Sequence, residues 1–507
     1  MNKFLRICAA MLVFLMLASL ASCGKTDNPA GSEAAATTAA PDATEEITTV
    51  VTEDKSYVYE LPEMNFNGET VRILAANRDA SADEFNCKET NGAAINDAVY
   101  KRNCDVESKL GIELKVKLCA SANDYGSCNI IKTQVASGDE LYDLVTTPGY
   151  TPVTYIVEGD FHNLHEVENL NLDKSYWVQG FNEIMDNGTS QYVCLGAYSI
   201  SAIRMMNVIL YNKDLFTERN LEDPYEMAMN GNWTVENQLL LIADTYSDSN
   251  GNSTADEEDF YGFVAGGCVS VDPYLVAFDS RLLYLNDDGE YILHIDNERL
   301  ITAVEKVQEL IFNNPNSYSV GANGNTDSAF TPNKINMFAA ERCLMASSTI
   351  YQIESVLTPS GFDGDYGIVP QPKLDENQED YYTYLQDQMT VMGVVSTVPD
   401  DRLAMIGAVM ETISYESYNT VFPAYYEVSL SYRFLKNQES KKMLDKIYGT
   451  VALEGTILYS PIFAMISSLR GLMRGDAGAP ASVLASQVSS WTDKLKQLND
   501  SLASLES

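Results

Sequence analysis

The sequence predicts an α/β protein with a parallel sheet and a second α/β unit further along the chain. Three observations predict it. Short apolar strands at residues 71–75 and 142–146 are separated by two helical patterns and by a strictly alternating strand at 112–118. A change of texture near residue 192 opens a second run of strands and helices. The stretch 57–507 is also long enough for two or three domains at the usual 100 to 200 residues each.

In the first unit, Ile95, Ala98, Val99, Val106 and Leu110 recur at helical spacing, and Gly111 follows where a left-handed cap belongs. Ile112, Leu114, Val116 and Leu118 alternate with Glu113, Lys115 and Lys117, which is a strand with one buried face. A helix over 125–137 ends at Gly138, and the 142–146 strand follows. Strand, helix, strand, helix, strand implies parallel pairing with covering helices. Ligands of such sheets lie beyond the carboxyl ends of the strands, and residues 146–150 form one such end.

In the second unit, a mostly apolar stretch, 192–210, leads into Tyr211 to Phe216. Thr234 is placed to cap a helix that begins beside Trp233. Leu300, Ile301, Val304, Val307, Leu310 and Ile311 mark a strongly amphipathic helix. Strands are expected at 367–369 and 390–395, and a mainly helical region runs from Asp400 to the end, its first helix started by Pro399.

Ahead of all this stands an export signal. Lys3 and Arg6 precede an apolar run over 7–20, and Leu20, Ala21, Ser22 and Cys23 close it. Charged, then apolar, then small residues is the layout of a secretory signal, and a cysteine at the cut is the acceptor for a diacylglyceryl group. The tract resembles a bacterial lipoprotein signal, with residues 1–22 removed and Cys23 lipidated. Residues 23–56 are rich in Ala, Thr, Glu and Asp and lack aromatic side chains, so they cannot bury enough apolar surface to fold. Such a tether spans roughly 30 Å as a flexible coil.

Composition narrows the function. The chain carries a net charge of −39, which becomes −41 once Lys3 and Arg6 leave with the signal. Nucleic acid is bound by neutralising phosphates with Lys and Arg, and no basic cluster is present, so nucleic acid is not an expected partner. Of nine cysteines, seven remain after Cys8 is removed and Cys23 is acylated. Cys87, Cys104, Cys119, Cys128, Cys194, Cys268 and Cys343 form no C-x-x-C pair, and most are expected as buried free thiols, with room for one or two disulfides.

The clearest local motif is Asp248, Asn250, Asn252, Thr254, Asp256 and Asp259. Oxygen side chains at positions 1, 3, 5, 9 and 12 of a twelve-residue loop suit a structural calcium, although Ser253 stands where glycine is wanted for the sharp turn. A solvated acidic loop has the same composition. Catalytic signatures are lacking: His162 and His165 do not have zinc-site spacing, and there is no nucleophile elbow, phosphate loop or dinucleotide fingerprint. No organic cofactor is expected.

Five tracts carry a family resemblance. Residues 96–103 (NDAVYKRN), 211–216 (YNKDLF), 232–234 (NWT), 366–373 (YGIVPQPK) and 423–427 (PAYYE) resemble signature tracts of the extracellular solute-binding proteins, family 1, the substrate-binding lipoproteins of ABC importers of sugars. The resemblance runs over about residues 66–450. It implies a type II periplasmic-binding-protein-like fold: two discontinuous α/β lobes joined by hinge strands and closing on a ligand. On that pattern the chain crosses near 201–206, returns near 345–348 and crosses again near 412–416, so that 57–203 with 346–412 make one lobe and 204–345 with 413–507 the other.

Thirty tyrosines point the same way, since a tyrosine offers a flat apolar face and a hydroxyl, which match the C–H faces and hydroxyl rim of a sugar. Tyr150 and Tyr198 lie at expected strand ends, Tyr351 follows the second crossing, and Tyr425 and Tyr426 follow the third. Arg204, Asp387 and Gln388 are polar groups beside expected crossings. These eight are the expected ligand-binding residues. The expected protein is a monomeric, non-enzymatic, lipid-anchored receptor outside the cytoplasmic membrane that delivers a mono- or oligosaccharide to an ABC permease. A lipid-anchored glycoside hydrolase and a binding module for a sensor kinase are the alternatives.

Overall fold

The computed structural model describes residues 59–267, 269–295, 298–321, 331–427, 430, 438–476 and 478–505. The signal, Cys23 and the whole tether lie outside the described residues.

The first sheet is built as the periodicities require. Strand β1 (Glu69–Ala75) leads to helix α1 (Ala94–Leu110), which buries Val99, Arg102, Val106 and Leu110 along one face. Gly111 stops the helix at φ 60°, its N–H donating to the Glu107 carbonyl, a conformation that costs glycine little. Strand β2 (Ile112–Leu118) pairs with β1 in parallel from Glu69 opposite Ile112 to Ala75 opposite Leu118. It lies at the sheet edge, so Leu114, Val116 and Leu118 are only half-buried while Lys115 and Lys117 alternate with them. After helix α2 (Gly126–Ser137), β3 (Leu144–Pro148) joins β1 on its other side, buried on both faces.

The second sheet holds β4 (Asn207–Asn212), β5 (Tyr261–Gly266), β8 (Ser317–Val320), β9 (Cys343–Thr349) and β10 (Tyr366–Val369), in the order β10, β4, β9, β5, β8. Between β5 and β8 a small hairpin is formed by β6 (Leu283–Leu285) and β7 (Tyr291–Leu293). β9 lies at the centre, every residue buried, parallel to β5 and antiparallel to β4. A short strand β11 (Thr383–Tyr384) comes next, and β12 (Thr390–Val394) then completes the first sheet, antiparallel to β3. Helix α3 (Asp400–Asn419) packs on α1, and β13 (Val451–Ala452) pairs with β11.

These memberships correct two of the expected crossings. The chain enters the second sheet after a one-turn helix, Ile200–Arg204. It does not return near 345–348, because those residues are the centre of β9; it returns between β10 and β12, over residues 370–389. Nor does it cross again near 412–416, where the helix α3 is still continuous and buries Thr412, Ile413, Ser414 and Glu416; that passage follows Asn419. Residues 346–369 thus belong with the second sheet. The connecting segments run side by side: Met206 bridges to Leu385, the Gln386 N–H donates to the Met205 carbonyl at 3.2 Å, and Thr383 and Tyr384 pair with Val451 and Ala452.

Cys87, Cys104, Cys119, Cys128, Cys194 and Cys343 are free thiols, four of them buried, and no disulfide joins the described cysteines. Cys268 lies outside the described residues. Trp177 and Trp233 are core residues, with the Trp233 indole donating to the Pro370 carbonyl at 2.8 Å. Among the described residues, no helix is long and apolar enough to cross a membrane.

Candidate ligand-binding cleft

Parallel pairing puts the carboxyl ends of β1, β2 and β3 on one edge of the first sheet, and the segments leaving that edge build the site. After β1 the chain turns through Arg78 and Asp79, with the Ala76 N–H held by the Thr146 hydroxyl at 2.9 Å. After β2 it reaches Asp124 and Tyr125, shaped by Asn123, whose side-chain oxygen accepts from the Tyr125 N–H at 3.0 Å. After β3 it reaches Gly149 and Tyr150. A Cβ on Gly149 would sit 2.5 Å from the Met389 Cε, the end of a flexible side chain, and 3.3 Å from the Asp387 carbonyl oxygen, and the Gly149 N–H donates to the Met389 carbonyl at 3.0 Å. This close approach brings the return segment against the sheet edge.

Asp124 is the meeting point. Its carboxylate pairs with the Arg78 guanidinium, accepts from the Tyr150 hydroxyl at 2.5 Å and lies 3.4 Å from the Gln388 amide nitrogen. The Tyr125 ring meets Tyr150 edge to face, centroids 5.7 Å apart. Three strand-end loops and the return segment therefore share one polar cluster with two half-buried aromatic rings.

The electrostatics follow from partial burial. Burial pushes the Asp387 carboxyl up to about 6; Asp272 adds to the rise, and Arg470, Gln388 and Arg78 oppose it. Burial, then Asp387, raises the Tyr150 hydroxyl, which stays protonated and able to donate. Burial also raises the Tyr351 hydroxyl, with Asp79 the largest charged contribution. Along the return segment, the Gln388 and Gln386 amide oxygens are buried and meet no hydrogen-bond donor among the described residues. Buried polar atoms normally find partners, so these two acceptors have capacity left for a donor.

Of the eight expected ligand-binding residues, Tyr150, Asp387 and Gln388 belong to this cluster, and Tyr351 is half-buried, within electrostatic reach of Asp79. The other four are corrected. Tyr198 is a fully buried core residue, its hydroxyl donating to the Cys194 carbonyl at 2.7 Å between Phe85 and Trp177. Tyr425 is likewise buried, its hydroxyl donating to Glu354 at 3.1 Å. Tyr426 stacks on Phe422 at 5.3 Å and donates to Asp445 at 2.5 Å. Arg204 is buried with its guanidinium fully engaged by protein groups. Arg78, Asp79, Asp124 and Tyr125 lie with this cluster and are not among the expected residues, although the strand-end rule that points to Tyr150 applies equally to the segments after β1 and β2.

The loop carrying Asp248, Asn250, Asn252, Thr254, Asp256 and Asp259 is knit by its own groups. Asp248 accepts from the Gly251 and Ser253 N–H groups at 2.7 and 2.9 Å, Asn250 and Asn252 donate to Asp256, Asn252 accepts from the Thr254 N–H, and Asp259 accepts from the Ser249 N–H. Ser253 adopts φ 62°, the left-handed turn for which glycine would serve better. Among the described residues, no group of three or more His, Cys, Asp or Glu side chains is placed to hold a metal ion. The calcium assignment stands on ligand spacing alone.

No family model and no curated protein sequence matches the chain. Solved structures do. The chain is similar to the maltose-binding periplasmic protein MalE from Listeria monocytogenes in complex with maltose, at 13% identity and a TM-score of 0.55, over 85% of this chain and 98% of that one. A cyclo/maltodextrin-binding protein complexed with maltotetraose matches at 12% identity and a TM-score of 0.54, over 84% and 97%. The ABC substrate-binding protein Lmo0181 from Listeria monocytogenes, in complex with cycloalternan, matches at 13% identity and a TM-score of 0.51, over 86% and 99%. The chain therefore has the two-lobed α/β fold, type II, of ABC substrate-binding proteins.

Proposed function

We propose that the protein is an extracellular binding protein, tethered by lipid on Cys23, that captures a mono- or oligosaccharide between its lobes and delivers it to an ABC importer. The observation that carries this reading is the cluster on Asp124, where Arg78, Tyr150 and Gln388 join three strand-end loops to the segment between the sheets. Its supports are the fold, the tyrosine faces and the orphan acceptors, which together suit a ligand of C–H faces and hydroxyl donors. Ligand held first by one lobe gains contacts to the other on closure, so the closed state binds more tightly and is the state an importer can distinguish.

A thermal-shift screen against a saccharide library tests it. At a concentration 100 times its dissociation constant a ligand that binds only the folded state adds about 2.7 kcal/mol, and the saccharide should be recovered intact. Hydrolysed product would favour a glycoside hydrolase instead. Replacing Cys23 by Ala should move the protein from the membrane fraction to the soluble one, and retention in the membrane would contradict the lipid anchor.

A further inference from the structure

Arg204 lies at the end of the one-turn helix that leads into β4, and its side chain is 4% exposed. It reaches two walls. Toward the first sheet, Nη1 donates to the Ala80 carbonyl and to Asp83 Oδ1, both at 2.8 Å, and Nη2 to Asp83 Oδ2 at 3.0 Å. Toward the second, Nε donates to Glu354 Oε2 at 3.1 Å and Nη2 to Glu354 Oε1 at 3.0 Å. The Tyr425 ring lies 5.2 Å from the guanidinium, and its hydroxyl donates to the same Glu354 carboxylate.

The two carboxylates stand on the segments that carry candidate ligand contacts. Asp83 and Ala80 belong to the loop after β1 that bears Arg78 and Asp79; Glu354 lies one turn beyond Tyr351, after β9. The neighbouring Glu84 fixes the other end of the helix, accepting from the Ser201 N–H and hydroxyl, both at 2.7 Å. We propose that Arg204 is a positioning residue that latches the ligand-facing loop after β1 to the ligand-facing turn after β9 and thereby sets the gap between the two walls of the cleft.

The physical reason is that one buried guanidinium serves two carboxylates from opposite walls. Any movement that parts the walls must detach one arm and leave a buried charge undercompensated, which is strongly unfavourable. With the guanidinium buried and the carboxylates partly exposed, salt weakens this latch less than it would a surface ion pair. The proposal rests on the cleft being the ligand site, but its conformational half can be tested without ligand.

Small-angle scattering and calorimetric titration of Glu354→Gln and Asp83→Asn, two variants that weaken opposite arms, test it, with Arg204→Lys as a third that keeps charge and loses the fork. Each should give the ligand-free protein a larger radius of gyration than wild type. Each should also weaken binding of the saccharide found for wild type by about tenfold through faster dissociation. The double variant Asp83→Asn, Glu354→Gln should lose less than the product of the two single losses, because both arms share one partner. Wild-type scattering and affinity in both single variants would overturn the latch. If wild type binds no saccharide, the ligand reading fails, and the scattering of the ligand-free variants alone decides the latch.

Discussion

Tyr150 donates a 2.5 Å hydrogen bond to Asp124 and so ties the loop after β3 to the loop after β2. Neither residue is near the other in sequence, and the parallel order of β1, β2 and β3 is what brings them together. Removing the hydroxyl in Tyr150→Phe breaks this internal bond, which as a hydrogen bond to a charged group contributes roughly 1.5 to 3 kcal/mol to stability, and by freeing the loop after β3 it should weaken saccharide binding by about tenfold. The melting temperature should fall measurably as well, because the lost bond is internal to the protein. Calorimetric titration and a thermal melt check both halves.

Asp387 should give saccharide binding a pH dependence. Its folded carboxyl is raised to about 6 from an ordinary value of 3.8, chiefly by burial. The folded state therefore holds this proton more tightly than the unfolded one, so the stability that protonation confers is present below pH 4 and is lost as pH rises to about 6. Asp387→Asn should raise the melting temperature at pH 7 more than at pH 4.5. Ligand acceptance runs the other way, since the ionised carboxylate is the better acceptor for hydroxyls. Saccharide affinity should fall between pH 7 and pH 5 in wild type, and a flat profile would remove Asp387 from the ligand contacts.

The buried tyrosines should behave as core. Tyr198→Ala and Tyr425→Ala each leave a cavity where a fully buried ring stood, and truncating a buried aromatic costs about 3 to 5 kcal/mol. Chemical denaturation should show that loss without ligand. Full stability in either variant would contradict the packing described here.

The loop from Asp248 to Asp259 is proposed as a calcium loop on its ligand spacing. Millimolar calcium added to chelator-treated protein should raise the melting temperature, and Asp248→Ala should abolish the rise. Superimposable melting curves would leave the loop held by its own hydrogen bonds.

Sequence reasoning succeeded where a local rule decides the outcome. The helix ending at Gly111 and the alternating strand after it are visible because side-chain period and cap chemistry act within a few residues. It failed where the answer is a choice of partner. Nothing local distinguishes a strand at 343–349 that centres the second sheet from one that crosses between sheets. Tyr150 and Tyr198 both follow apolar runs, yet one faces the cleft and the other meets Phe85 and Trp177. The partners of Arg204 lie 121 and 150 residues away, beyond the reach of any local pattern.

The most direct test of the central claim is a calorimetric titration of the purified domain with the saccharides that shift its melting temperature, followed by analysis of the sugar recovered. The account predicts saturable one-to-one binding, weakened by Asp124→Ala, with the saccharide recovered unchanged. Failure of every mono- and oligosaccharide to bind, or its recovery as hydrolysis product, would contradict it.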